Sequence, residues 1–176
     1  MRRILLSCAT LAVLALAAAG SAGARGQATS FGLLVVQNGV GDGGIYGHPV
    51  VTLVVEGFVL GRISPQDQAR VDIYQSPSAG GQGGFGAVGD VSSRPVRWRG
   101  FAGKEFSGSG FRFHATGGAY RVVIRGSGVY VFAGGRGGVK LRGSAVYPKA
   151  DGRYALDGAA WRSLPDEPVT RMIGGG

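Results

Sequence analysis

The sequence predicts an all-β protein: an antiparallel β-sandwich or small barrel built from short hairpins with glycine turns, with a β-solenoid as the alternative. Three observations carry this. Short apolar, β-branched or aromatic runs alternate with glycine; no window beyond residue 24 sustains an apolar 3.6-residue period for ten residues; and a hairpin-sized unit is repeated near the C-terminal end. The chain holds 35 glycines in 176 residues, about a fifth against a usual share of about 7%. They follow no Gly-X-Y period, which excludes a collagen-like rod.

The runs come in order as LLVV at 33–36, VVTLVV at 50–55, FVL at 58–60, RVDIY at 70–74, FRF at 111–113, YRVVI at 120–124 and VYVF at 129–132. Runs of this length bounded by turn formers read as strands. SPQDQAR at 64–70 is the best helix candidate and is short enough to be a connection. Alternation assigns faces. Tyr120, Val122 and Ile124 share a dry side opposite Arg121, Val123 and Arg125; Phe111 and Phe113 oppose Arg112 and His114; Val139 and Leu141 oppose Lys140 and Arg142; Val96 and Trp98 oppose Arg97 and Arg99. PVVTLVVEGFVLG at 49–61 lacks clean alternation, which places it mid-core and covered on both sides. Trp98 and Trp161 are expected in the core, a sugar-binding platform being their second reading.

The repeat aligns Ile124–Arg136 with Leu141–Arg153, with eight of thirteen positions identical; a weaker copy, GSGFRFHATGG, starts at Gly108. The unit is an apolar strand end, Arg-Gly-Ser-Gly, a second short strand, then alanine and a glycine turn. A solenoid would carry the period along the whole chain, and residues 30–105 do not. Local duplication of hairpins needs only a meander closing into a sandwich or barrel.

The first 24 residues read as a secretory signal peptide: Arg2 and Arg3, an apolar run from Ile4 to Ala19, then Ala22-Gly23-Ala24 at the cleavage site. Cys8 opens that run instead of following it, so it is no lipobox cysteine. Cleavage after Ala24 would leave 176 − 24 = 152 residues without cysteine, and a charge of +9 − 2 = +7 once Arg2 and Arg3 depart. No transmembrane anchor is expected after cleavage, and the location is extracellular or the cell envelope. Residues 25–30 are expected to be flexible, 31–166 to form one β domain with a Gly/Ser-rich loop at 76–93, and 167–176 to be a loose tail.

Catalytic equipment is sparse. His48 and His114 are the only histidines, too few with no mature cysteine for a usual zinc set. No Gly-x-Ser-x-Gly elbow occurs, and no spacing singles out a carboxylate pair. Residues 81–86 match G-x-G-x-x-G by letter but open no helix. Asp151-Gly152 and Asp157-Gly158 are read as hairpin turns before calcium ligands. No cofactor and no metal is expected. What remains is a basic, aromatic-bearing sheet face of Arg97, Arg99, Arg112, His114, Arg121, Arg125, Tyr130, Lys140 and Arg142. Guanidinium groups take phosphate or carboxylate, and rings stack on sugars or bases. The plainer reading is a solvated face whose arginines keep strands from aggregating. The expected partner is an anionic envelope polymer, with no specific nucleic acid. The expected role is a non-enzymatic exported domain, against a secreted hydrolase of wall or extracellular substrate, or a self-assembling envelope subunit.

GSGFRFHATGGAYRVVIRGSGVYV, GGVKLRG and DGRYALDGAAWRSLP, over roughly residues 100–165, resemble small secreted Gly/Arg-rich proteins of GC-rich bacterial genomes. That group carries no assigned activity. The resemblance implies export and an all-β fold, and it transfers no site.

Overall fold

A computed structural model of the protein describes residues 31–39, 51–76, 83–143 and 152–174. The signal segment 1–24, residues 25–30, His48, Lys149 and Asp151 lie outside the described residues, as does much of the second repeat copy. The described chain is all-β. Its strands are β1 (Gly32–Gly39), β2 (Val51–Ile63), β3 (Ala69–Gln75), β4 (Gly84–Val88), β5 (Val91–Trp98), β6 (Phe101–Gly108), β7 (Arg112–Gly126), β8 (Val129–Leu141), β9 (Arg153–Leu156), β10 (Arg162–Ser163) and β11 (Val169–Ile173). They form one antiparallel sheet in the order β10-β9-β1-β8-β2-β7-β3-β6-β5, with β11 added to β8 and β4 added to β7. The sheet is not closed into a barrel.

Three long central strands, β7, β2 and β8, organise it. The sequence reading divides each of them at glycine; the structure runs them straight through. Gly118, Gly57 and Gly135 lie side by side across β7, β2 and β8, and Gly32 of β1 continues the row beside Gly135. At Gly57 (φ +150°) a Cβ would run into the Gly134 carbonyl, and at Gly135 (φ +141°) into the Glu56 carbonyl. The backbones approach there more closely than a side chain permits, which is what reserves these positions for glycine. The pairing of β2 with β7 slips at the same place, after Gly57. Partners change across this seam. Before it β7 pairs β4 and after it β3; β8 pairs β1 before it and β11 after it. The seam therefore divides the sheet into two wings, the first holding β4, β1, β9 and β10, the second β3, β6, β5 and β11.

Two of the three repeat copies lie in described residues, and both form hairpin turns. GSG at 108–110 turns β6 into β7, and GSG at 126–128 turns β7 into β8; Gly110 and Gly128 both have φ +62°. Both turns dock on one connection, residues 64–68: Ser64 N–H donates to the Gly128 carbonyl (3.0 Å), and Gly110 N–H donates to the Ser64 carbonyl (3.2 Å). Equivalent repeat positions are equally buried: Phe111 with Val129, Phe113 with Val131, Ala115 with Ala133. They join Leu34, Leu53, Val71, Tyr120, Leu141 and Ile173 in a single core cluster drawn from both wings.

Several expectations are corrected. β2 is the central strand, yet only one face is covered: Val54 and Leu60 are exposed while Leu53, Val55 and Val59 are buried. Within the expected loop 76–93, residues 84–88 form β4 on β7 and residues 91–93 begin β5; 77–82 lie outside the described residues. The expected loose tail carries β11, which pairs residue for residue with Gly137–Leu141 of β8. Neither tryptophan is in the core: Trp161 is exposed, and Trp98 is half-buried on the outer face. Two-residue alternation cannot say how far the core extends along an edge strand, and β5 overruns it.

Candidate functional site

On the second wing, neighbouring strands bring alternate side chains to the outer face in rows. One row is Arg94 (β5), Glu105 (β6), Asp72 (β3) and Val123 (β7); the next is Val96, Gly103, Tyr74, Arg121 and Val54. The first row is a charge network. Glu105 accepts a bidentate pair from Arg94 (2.8 Å to each oxygen) and pairs with Arg70; Asp72 accepts from Arg70 (3.2 Å) and from Arg125 (2.7 Å). Asp72 is 3% exposed and Glu105 6%, so these carboxylates are desolvated and depend on the arginines around them. The network ties β5, β6, β3 and β7 together beside the second row.

That second row opens into a cleft of about 340 Å³, lined largely by apolar atoms of Val54, Tyr74, Trp98, Phe101 and Ala119, with Glu56, Arg121 and Arg136 as its charged groups. Its size suits a small ligand or one unit of a polymer. Trp98 is the pivot. It stacks on Phe101 (centroids 5.7 Å, planes 21° apart), leans on Tyr74 (6.2 Å), and carries the Arg121 guanidinium 4.4 Å from its centroid, with Arg99 at 5.2 Å. The Arg121 Nε–H is buried and has no hydrogen-bond partner among the described residues. Burial pulls the Arg121 guanidinium below its ordinary range, and burial, then the Asp72 charge, pushes the Tyr74 phenol up. A guanidinium held against rings at the wall of a cleft, with no carboxylate paired to it among the described residues, is equipped to receive an anion.

The nine sequence-derived positions do not form one patch. Arg121, Arg125 and Arg99 gather at or beside this cleft. Arg125 is engaged by Asp72, whereas Arg121 pairs with no carboxylate among the described residues. Arg99 sits in the β5–β6 turn with φ +47°. Lys140 shares the wing but lies two strands from β7's row, next to Thr52 and Thr170, and Arg142 follows the end of β8. Arg97, opposite Ala102, points to the other side of β5 from Trp98. Arg112, His114 and Tyr130 are on the first wing, across the seam. His114 is exposed there, and the paired carboxylates Asp72 and Glu105 are both committed to arginine.

Tyr74, Phe101, Val54, Glu56 and Arg136 were not singled out from sequence. The alternation in RVDIY puts Arg70, Asp72 and Tyr74 on one side, and that was the available signal. Which strands lie beside β3 could not be read from the chain. Comparison with known protein families, curated proteins and solved structures finds no match to this chain.

Proposed function

We propose that the protein is an exported, non-enzymatic β domain that binds an anionic polymer of the cell envelope, and that the cleft around Trp98 and Arg121 is where one acidic unit of that polymer sits. The observation that carries this reading is the Arg121 guanidinium, stacked on Trp98 at an apolar, ring-lined cleft and paired with no carboxylate among the described residues. The face of a sugar ring covers an aromatic ring through its C–H groups, while a carboxylate or phosphate on the same unit takes the guanidinium. The net charge, +9 for the full chain and +9 − 2 = +7 once Arg2 and Arg3 depart, concentrates anions near it. Export rests on the N-terminal pattern of basic start, apolar run and small residues.

The test is a binding isotherm of the exported chain with an acidic polysaccharide, read by titration calorimetry. Affinity should fall as salt rises, and Trp98→Ala or Arg121→Gln should each weaken it about tenfold, the loss of one charge-assisted contact. Binding that is insensitive to salt and to both substitutions would overturn the reading.

A further inference from the structure

The outer face of the first wing has a different chemistry. Phe58, Leu60 and Arg62 of β2 lie between Arg112 and His114 of β7 and Tyr130 and Phe132 of β8, with Leu33 and Val35 of β1 beyond. Phe58 touches Phe31 (6.1 Å between centroids) and Phe132 (5.4 Å), a run of three rings across the sheet. Much of this is open to solvent: Phe31 is 62% exposed, Leu60 42% and Phe132 41%. A shallow groove of about 340 Å³ lies between Leu60, Arg112 and Tyr130. The apolar centre is rimmed by cations. Arg62 lies over Tyr130 (4.3 Å), Arg153 lies over Trp161 (4.7 Å), and Arg112 stands opposite Arg62. Arg153 gives its donors to the neutral Gln37 (3.0 and 3.2 Å). Asp157 also stands at this rim, where its carboxylate accepts the Leu33 N–H (2.7 Å).

We infer that this face docks on an anionic lipid bilayer. A contiguous apolar and aromatic patch marks an interaction surface, and the charge pattern selects the occupant. A second copy meeting this face about a two-fold axis would bring Arg62, Arg112 and Arg153 of both copies together, a surplus of like charge that Asp157 does not balance. A purely polar polyanion would satisfy the arginines and leave Phe31, Leu60 and Phe132 in water. An anionic bilayer meets both needs. Rings and aliphatic side chains enter the boundary between headgroup and acyl chain, and arginines reach the lipid phosphates. The sheet is suited to this, because Leu60, Phe132 and Val35 stand in one cross-strand row and present themselves together.

The experiment is co-sedimentation of the exported chain with vesicles of phosphatidylcholine containing phosphatidylglycerol, and with vesicles of phosphatidylcholine alone. The expected result is partition onto the anionic vesicles that weakens with salt. The double variant Arg62→Gln/Arg112→Gln should bind roughly 25-fold more weakly, about five-fold for each arginine, and Leu60→Ser/Phe132→Ser at least about tenfold more weakly. Trp98→Ala, in the other wing, should bind vesicles like the parent, which separates this face from the polymer cleft. If the serine pair loses its β-sheet circular dichroism, the arginine pair decides, since both arginines are exposed. Absence of sedimentation, equal binding to both vesicle types, or parent-like binding by the arginine variant overturns the inference. So does a concentration-dependent dimer by light scattering that the serine pair abolishes.

Discussion

Neutralising Glu105 should cost far more stability than neutralising its most visible partner, Arg94. The two make a bidentate pair with 2.8 Å contacts on both oxygens, and a symmetric view would give the two substitutions the same cost. Their surroundings differ. The Arg94 side chain is 63% exposed and the Glu105 side chain 7%. Arg94→Gln removes an arginine that water already solvates and leaves Glu105 its contact with Arg70, so the cost is that of an exposed pair, about 0.2–1 kcal/mol. Glu105→Gln removes the carboxylate that Arg94 grips with two donors and one of two that Arg70 meets. Breaking a buried pair costs about 3–5 kcal/mol when the remaining charge is stranded. Here Arg70 keeps Asp72, and Arg94 can turn to water, which brings the expectation down to about 2–3 kcal/mol. Urea denaturation of the parent and both variants measures this, with unchanged slopes showing that the transition itself is the same. Because β5 carries Trp98, Glu105→Gln should also weaken polymer binding in the native state. Equal costs for the two substitutions, or a cost below about 0.5 kcal/mol for Glu105→Gln, would refute the asymmetry of burial on which the reasoning rests.

Gly57→Ala should lower stability by more than the ~1 kcal/mol of ordinary backbone strain, because its Cβ meets the Gly134 carbonyl, a backbone group that cannot swing aside; thermal unfolding would show it, while Gly84→Ala, with open space at its Cβ, should be near neutral. Alkaline pH should destabilise the protein through Tyr74. Burial raises the phenol's folded pKa above its usual value near 10, so its contribution is fully present below that value and is lost as pH climbs through the folded pKa. Stability curves at rising pH should therefore fall less steeply for Tyr74→Phe than for the parent; identical slopes would count against it.

Much of the fold was legible because a two-residue period needs only local information. The dry sides assigned to Tyr120, Val122 and Ile124, to Phe111 and Phe113, and to Val139 and Leu141 are buried as expected. Of the repeat copies, the one at Gly126 and the weaker one at Gly108 form hairpin turns, while most of the copy at 141–153 lies outside the described residues. Glycine was the source of most errors. At 57, 117–118 and 134–137 it was read as the end of a strand, whereas it carries the strand through a seam; glycine frees φ without saying whether the chain turns or merely twists. Segments with no long apolar run, the Gly/Ser-rich 83–93 and the polar-flanked 167–173, hid short strands that exist because a long central strand offers them a free edge. The site was legible only in part. Arg121 and Arg125 faced outward as alternation required, but the partners that distinguish them, Trp98 for one and Asp72 for the other, come from strands whose adjacency is a property of the whole sheet. The same limit made nine basic and aromatic positions look like one face when the seam divides them.

The polymer cleft is tested most directly by Arg121→Lys, measured by calorimetry against one acidic oligosaccharide and its carboxyl-reduced, neutral counterpart. Lysine keeps the charge but loses the planar fork that stacks on Trp98 and grips an acid group. The account predicts that the parent binds the acidic form and scarcely the neutral one, and that Arg121→Lys loses most of that preference. Equal affinity of the parent for both oligosaccharides, or an undiminished preference in the lysine variant, would contradict it.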